Sequence, residues 1–125
     1  MVAGGFVWAA QRLGLMASTL DFRAFQDIAE EWLRLDLAVY AEIFERIDDH
    51  DATDLLGSIR APALIIAGER DRFAPLEWAR RMALDMRRAT LEVLPGATHF
   101  GLIEYPEEIA ARVERFLASA LAGDP

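Results

Sequence analysis

The 125-residue sequence contains no cysteine, and its basic residues are outnumbered by its acidic ones. Without cysteine there is no disulfide framework, no thiolate nucleophile and no cysteine-based zinc site. The sequence has 13 Lys and Arg against 21 Asp and Glu, a formal net charge of −8. No basic stripe is available to meet the phosphates of a nucleic acid or of an anionic membrane. We therefore expect neither a nucleic-acid partner nor a membrane partner.

Long hydrophobic runs are also missing. The run ALIIAG at 63–68 is far shorter than the roughly 20 residues of a membrane-spanning helix. The N-terminal stretch lacks the basic region of a signal peptide, and Gln11, Arg12 and Gly14 interrupt its apolar character. We expect a cytoplasmic protein, and the length corresponds to one domain at most.

The first half of the chain has the pattern of helices. From Thr19 to Ile47 the apolar residues recur at helical spacing, which predicts two helices with a break near 35–36. Thr19 or Ser18 is the predicted N-cap of the first helix, and residues 1–5, MVAGG, are interpreted as the tail of a buried strand. Most aromatic residues of this half are expected to pack in the core: Phe6, Trp8, Phe22, Phe25, Trp32, Tyr40 and Phe44.

The second half alternates strand and helix patterns. ALIIA at 63–67 predicts a strand buried on both faces, and TLEVL at 90–94 predicts a second strand. Pro75 and Pro106 each suit the start of a helix. Such short connections predict a parallel crossover unit. Two strands alone are marginally stable and leave unpaired edges, so we expect the unit to be the end of a larger sheet.

Several residues of this half match a known pattern. Gly68-x-x-Asp71 with Pro75, Gly96-x-x-His99, Pro106-Glu107 and Phe116-Leu117 resemble the C-terminal end of the α/β-hydrolase fold. The fold class that this resemblance implies is α/β, a partial α/β-hydrolase fold. Residues 1–58 would be the helical cap, with a strand remnant at 1–5. Residues 59–125 would be the C-terminal βαβα part of the core, with parallel strands.

The resemblance also implies a chemistry. Asp71 would be the acid of a nucleophile–acid–histidine triad and His99 its general base. We expect the C-terminal fragment of a hydrolase that acts on a small, apolar ester or related acyl substrate, with no cofactor.

A nucleophile of the expected kind is missing from the sequence. The family places it on a tight turn between small residues, but Ser18, Ser58 and Ser119 all have larger neighbours two positions away. No Gly-x-Asp-x-Gly motif and no His-Gly oxyanion motif is present. We therefore expect the isolated chain to be inactive.

Three alternatives stay open at this point. One is an upstream Asp nucleophile, of the haloalkane-dehalogenase or epoxide-hydrolase type. Another is a non-catalytic chain that forms a homo-oligomer. The last is a subunit completed by an N-terminal half that carries the nucleophile.

Other polar residues have simpler interpretations. The acidic segment 48–54, DDHDATD, fails the calcium-loop pattern because the positions for Gly and Glu hold Asp54 and Arg60, so we expect no metal. Glu69 and Arg70 are expected to shape the loop of Asp71. Glu104 is expected either to hydrogen-bond near the histidine loop or to serve as a solvated or capping residue.

Overall fold

The computed structural model describes residues 2–32, 34–48 and 50–122. It has helices in the first half and a strand–helix–strand–helix unit in the second. The elements are α1 (Val2–Arg12), α2 (Phe22–Trp32), α3 (Leu37–Asp48), α4 (Thr53–Leu56), β1 (Ala63–Gly68), α5 (Leu76–Asp85), β2 (Ala89–Leu94), α6 (Gly101–Glu104) and α7 (Pro106–Ala122).

The two strands form a parallel sheet, as the sequence predicts. The register pairs Ala63 with Ala89 and Gly68 with Leu94, so both strands end at the same edge of the sheet. Helix α5 connects the strands and packs on both of them, and α7 contacts β1. Because the carboxyl ends of parallel strands build the sites of open α/β sheets, this topology brings the loops after Gly68 and Leu94 together. The predicted α/β class is confirmed.

The predicted strand at 1–5 is wrong. Residues 2–5 belong to helix α1, and Met1 lies outside the described residues. A strand needs a neighbour for its backbone N–H and C=O groups, whereas a helix pairs these groups internally. The two-stranded sheet of the described residues has an open edge on each strand, but this segment pairs its backbone within the helix instead of adding to either edge. The helix also buries Val7 and Ala10, three residues apart, on one face.

Helices α2 and α3 and the break between them follow the prediction, but the cap does not. Asp21 rather than Ser18 or Thr19 caps α2, because its Oδ1 accepts the backbone N–H groups of Arg23 and Ala24 at 2.9 and 3.2 Å. An Asp at this position satisfies two of the donors that the first turn of a helix leaves free.

The buried core joins the first helices to the second half of the chain. Val7, Ala10, Met16, Leu20 and Phe25 form one buried cluster, and Phe100 and Ile103 pack against it. The expectation that most aromatics of the first half are buried is wrong. Phe25 is 5% exposed, but Phe6, Trp8, Phe22, Trp32 and Phe44 are much more accessible. Helical spacing identifies an apolar face without identifying what covers it.

The strand β1 is half-buried along its whole length, so the prediction of a strand buried on both faces is also wrong. That burial pattern requires a strand on each side and helices on both faces. In the described residues β2 pairs with one edge of β1 only. The division into a cap at 1–58 and a core at 59–125 stays a prediction.

Candidate active site

The loop that follows β1 fixes the side chain of Asp71. Its Oδ1 accepts the backbone N–H groups of Phe73 and Ala74 at 2.9 and 2.8 Å. An aspartate that bonds to the backbone two and three residues ahead stabilises its own turn. Pro75 follows and precedes α5. The second carboxylate oxygen, Oδ2, is left for another partner.

That partner is His99, on the loop that follows β2. The His99 Nδ1 lies 2.9 Å from Asp71 Oδ2. With a carboxylate as acceptor, Nδ1 carries the proton and Nε2 of a neutral ring carries the lone pair. The Asp71 side chain is 11% exposed and that of His99 48% exposed. The structure therefore brings together the two residues that the sequence analysis selected.

The environment of Asp71 favours its ionised form. Burial by itself raises the pKa of this carboxyl, but hydrogen bonds from the Ala74 N–H, the His99 ring and the Phe73 N–H lower it. The net effect is a pKa below the ordinary value of 3.8. A carboxylate that stays ionised can orient an imidazole and stabilise its charged form.

The loops that carry Asp71 and His99 approach each other closely through their backbones, and this approach sets the distance between them. A Cβ placed on Gly68 would lie 2.7 Å from the carbonyl oxygens of both Ala97 and Thr98, so only glycine fits there. The Arg70 N–H donates to the Ala97 carbonyl at 2.9 Å. Glu69 Oε2 accepts the N–H of Gly96 at 2.9 Å. Glu69 and Arg70 thus shape the site, as expected, and Gly68 sets how closely the loops can approach.

A cavity of about 440 Å³ opens beside the Asp71–His99 pair. Its wall is formed by β1, α5 and the residues after β2, and the large apolar side chains that line it include Trp78, Met82 and Leu102. Aromatic rings also flank the histidine, since the ring centroid of Phe73 lies 5.3 Å and that of Phe100 6.1 Å from that of His99. The Asp71–His99 pair therefore lies at the wall of a mostly apolar cavity.

Glu104 has a larger role at the site than the sequence analysis gave it. The side chain is 3% exposed, and its oxygens accept hydrogen bonds from Thr98, which directly precedes His99. Of the two roles considered for Glu104, the structure supports the hydrogen bond near the histidine loop. Nothing in the local sequence around Glu104 indicates that the carboxylate turns inward.

No serine of the described chain takes an obvious nucleophile position. The hydroxyl groups of Ser58 and Ser119 each donate to a carbonyl three residues earlier, at 2.7 and 2.8 Å. Ser18 is exposed after α1. Within the described residues, no group of three or more His, Asp or Glu side chains could hold a metal ion. Within the same residues, no helix combines the length and apolar character that crossing a bilayer requires.

Comparison with known proteins finds a family model and several relatives that match this chain. A family model described as "Alpha/beta hydrolase family" matches residues 2–112. A 2-hydroxy-6-oxononadienedioate/2-hydroxy-6-oxononatrienedioate hydrolase of Paraburkholderia xenovorans is 35% identical over 116 residues, which are 90% of this chain and 38% of the relative. A pimeloyl-[acyl-carrier protein] methyl ester esterase of Nitrosospira multiformis is 35% identical over 68 residues, 52% of this chain and 26% of the relative.

A solved structure agrees with these relatives. A thermophilic esterase from Thermogutta terrifontis, with malate bound, superposes with a TM-score of 0.54 at 30% identity. The match covers 56% of this chain and 26% of that one. The chain spans well under half of the length of each of these three proteins.

Proposed function

Because this chain belongs to the α/β-hydrolase family, we propose that Asp71 and His99 are the acid and the general base of an ester-hydrolysing site. The observation that carries the proposal is the 2.9 Å contact between Asp71 Oδ2 and His99 Nδ1. Two of the similar proteins are named as esterases, which supports an ester or related acyl substrate. The apolar wall of the adjoining cavity supports a small apolar group on that substrate.

The chemistry follows from the arrangement of the two side chains. Asp71 holds the Nδ1–H, so the lone pair of Nε2 can accept the proton of a hydroxyl nucleophile as that oxygen attacks the carbonyl carbon. The imidazolium that forms is stabilised by the Asp71 carboxylate. It then returns the proton to the leaving alkoxide, and the ester bond breaks. A water molecule, activated by the same histidine, releases the acid in the second half of the reaction.

We further propose that the nucleophile comes from a polypeptide segment that this sequence does not contain. Its three serines lack the small neighbours of a nucleophile turn. Strand β1 has one edge without a strand partner in the described residues, and the cavity beside the acid–base pair is lined by this strand. An added strand parallel to β1 at that edge would end on the same side of the sheet as the loops of Asp71 and His99. Self-association through the same edge is the alternative outcome.

A chimera tests the proposal. This chain replaces the matching region of the Paraburkholderia hydrolase, and hydrolysis of short-chain nitrophenyl esters is measured. We expect turnover by the chimera, a loss of at least about a thousandfold in His99→Ala and Asp71→Asn versions, and no turnover by the chain alone. A chimera that folds, as circular dichroism shows, but lacks turnover would contradict the assignment. Light scattering on the isolated chain detects self-association.

A further inference from the structure

Glu104 is a buried carboxylate that the acid–base pair does not use. It ends helix α6 and is 3% exposed. Its Oε1 accepts the N–H of Ala17 and the hydroxyl of Thr98, both at 2.6 Å, and its Oε2 accepts the N–H of Thr98 at 2.8 Å. None of the ion pairs among the described residues includes it. A carboxylate buried without a cation is costly unless hydrogen bonds replace its water.

Two of the three partners of Glu104 are backbone N–H groups, one at each carboxylate oxygen, so the site favours a group that accepts at both oxygens. An ionised carboxylate is such a group, whereas the amide of glutamine replaces one oxygen by an NH₂ group. In either orientation of that amide, the NH₂ would face a backbone N–H, that of Ala17 or that of Thr98. Glutamine therefore has nearly the size of the native side chain but the wrong hydrogen-bonding pattern. Charge-assisted bonds of this kind are also among the stronger ones.

The position of His99 depends on this anchor. Thr98 is 4% exposed, is held to Glu104 by both its N–H and its hydroxyl, and directly precedes His99. On the other side of Thr98, the carbonyl of Ala97 accepts the N–H of Arg70 from the loop of Asp71. The backbone that carries the imidazole is thus fixed between Glu104 and the acid loop, and Asp71 fixes the ring.

The same carboxylate reaches the connection between α1 and α2, residues 13–21. Ala17 lies in this connection, 87 positions from Glu104. Near its C-terminal end, the N–H of Asp21 donates to the carbonyl of Ile103 in α6 at 3.2 Å. Near its N-terminal end, Arg72 Nη1 lies 3.4 Å from the Leu13 carbonyl. Residues that follow His99 and residues of the Asp71 loop therefore both contact this connection.

We propose that Glu104 is a positioning residue, which holds His99 in register with Asp71 and links it to the α1–α2 connection. The proposal rests on the function proposed for Asp71 and His99. Its prediction concerns the geometry of the pair and can be measured without turnover. Movement of the first helices, for instance when a ligand fills the cavity, would then reach His99 through Glu104.

The test is nuclear magnetic resonance of the whole chain with ¹⁵N-labelled histidine. In the native chain we expect the two ring nitrogens of His99 to give the separate shifts of a fixed Nδ1–H tautomer. In Glu104→Gln we expect these shifts to converge, with the ratio of Asp71-bonded to free rings reduced about tenfold. Glu114→Gln removes an exposed charge from α7 and should leave His99 unchanged. His50 serves as the internal reference in all variants.

Two results would overturn the proposal. One is a Glu104→Gln chain whose His99 shifts equal those of the native chain. Whether or not this variant is less stable, such a result would show that Glu104 supports the fold without positioning His99. The other applies if this variant does not fold. Thr98→Val removes the hydroxyl that donates to Glu104, together with the longer bond that this hydroxyl accepts from the Phe100 N–H at 3.4 Å. It should shift the His99 signals in the same direction by a smaller amount. Unchanged His99 signals in Thr98→Val would then count against Glu104 as the anchor. Because ester turnover is not measured, failure of the proposed hydrolysis would not imitate either result.

Discussion

Helices α2 and α3 are similar in sequence pattern and differ in burial. They have 11 and 12 residues, and both carry aromatic and aliphatic side chains along one face. Phe25 of α2 is 5% exposed, whereas Phe44 of α3 is 59% exposed. The difference lies in what each helix meets: α2 packs on α1 and on the residues after His99, including Phe100 and Ile103. A helix with an apolar face is stable in a fold when another element covers that face.

The comparison separates the molecule into two parts. The part attached to the site comprises α1, α2, the sheet and the two loops that follow its strands, and long-range contacts hold it together. The peripheral part, of which α3 is the main element, carries exposed apolar residues that include Val39, Ile43 and Ile47. We expect substitutions of the same chemical type to have large effects in the first part and small effects in the second.

Phe25→Ala should give the largest difference between the two parts. The ring of Phe25 meets Phe100 edge-on, with centroids 5.7 Å apart. Its removal leaves a cavity in the buried cluster, and such changes cost about 3–5 kcal/mol of unfolding free energy. Phe44→Ala, in the peripheral part, should cost less than about 1 kcal/mol, because little of its surface is buried. Urea unfolding of the two variants measures both values. Equal losses of unfolding free energy in the two variants would show that the apolar face of α3 is buried in solution. The distinction between the two parts of the molecule would then not hold.

Gly68→Ala should have the second largest effect. The new methyl group would meet the carbonyl oxygens of Ala97 and Thr98 at 2.7 Å, and these are backbone atoms that cannot rotate away. We expect a loss of about 1–3 kcal/mol and a wider separation of Asp71 and His99. The matched control is Gly5→Ala in helix α1, where no atom beyond the chain neighbours and the nearby backbone of the helix lies within 4 Å of the added Cβ. That change should raise the stability by about 0.5–1 kcal/mol. A Gly68→Ala chain as stable as the native one would contradict the close approach.

Local sequence patterns account for most elements of the second half of the chain. Strands β1 and β2, their parallel pairing and helices α5 and α7 could be predicted, because apolar runs and the positions of Gly and Pro specify them locally. The pair Asp71–His99 could be predicted from its motifs together with that topology. The short helix α6 was missed, since a turn of four residues leaves no periodicity to detect.

Burial could not be predicted with the same success. The aromatic residues of the first half have the spacing of a core face, but only a neighbouring surface decides whether such a face is buried. The same is true of residues 2–5, because so short an apolar segment does not decide between pairing with a sheet edge and pairing within a helix. The inward orientation of Glu104 depends on Ala17, 87 positions away. Contacts over such separations leave no pattern within a single stretch of sequence.

Of the three test substitutions, Phe25→Ala, Gly68→Ala and Asp71→Asn, the last should have the smallest effect on stability and the sharpest dependence on pH. The asparagine keeps an acceptor for Phe73 and Ala74 but presents an NH₂ group to His99, and we expect a loss of about 1–2 kcal/mol at neutral pH. The control is Asp36→Asn in the peripheral part, where Asp36 accepts the N–H of Ala38. Asparagine caps a helix about as well as aspartate, so this change should cost at most a few tenths of a kcal/mol.

The dependence on pH has a definite sign. The pKa of Asp71 is lowered below 3.8 in the folded chain, so near and below this value the unfolded state binds more protons than the folded state. The stability that the carboxylate contributes is therefore fully present above about pH 5 and is lost as the pH falls through the lowered pKa. The difference in unfolding free energy between the native chain and Asp71→Asn should shrink from pH 6 toward pH 2. A difference that stays constant over this range would show that the ionised carboxylate does not stabilise the site, and the orienting role of Asp71 toward His99 would fail with it.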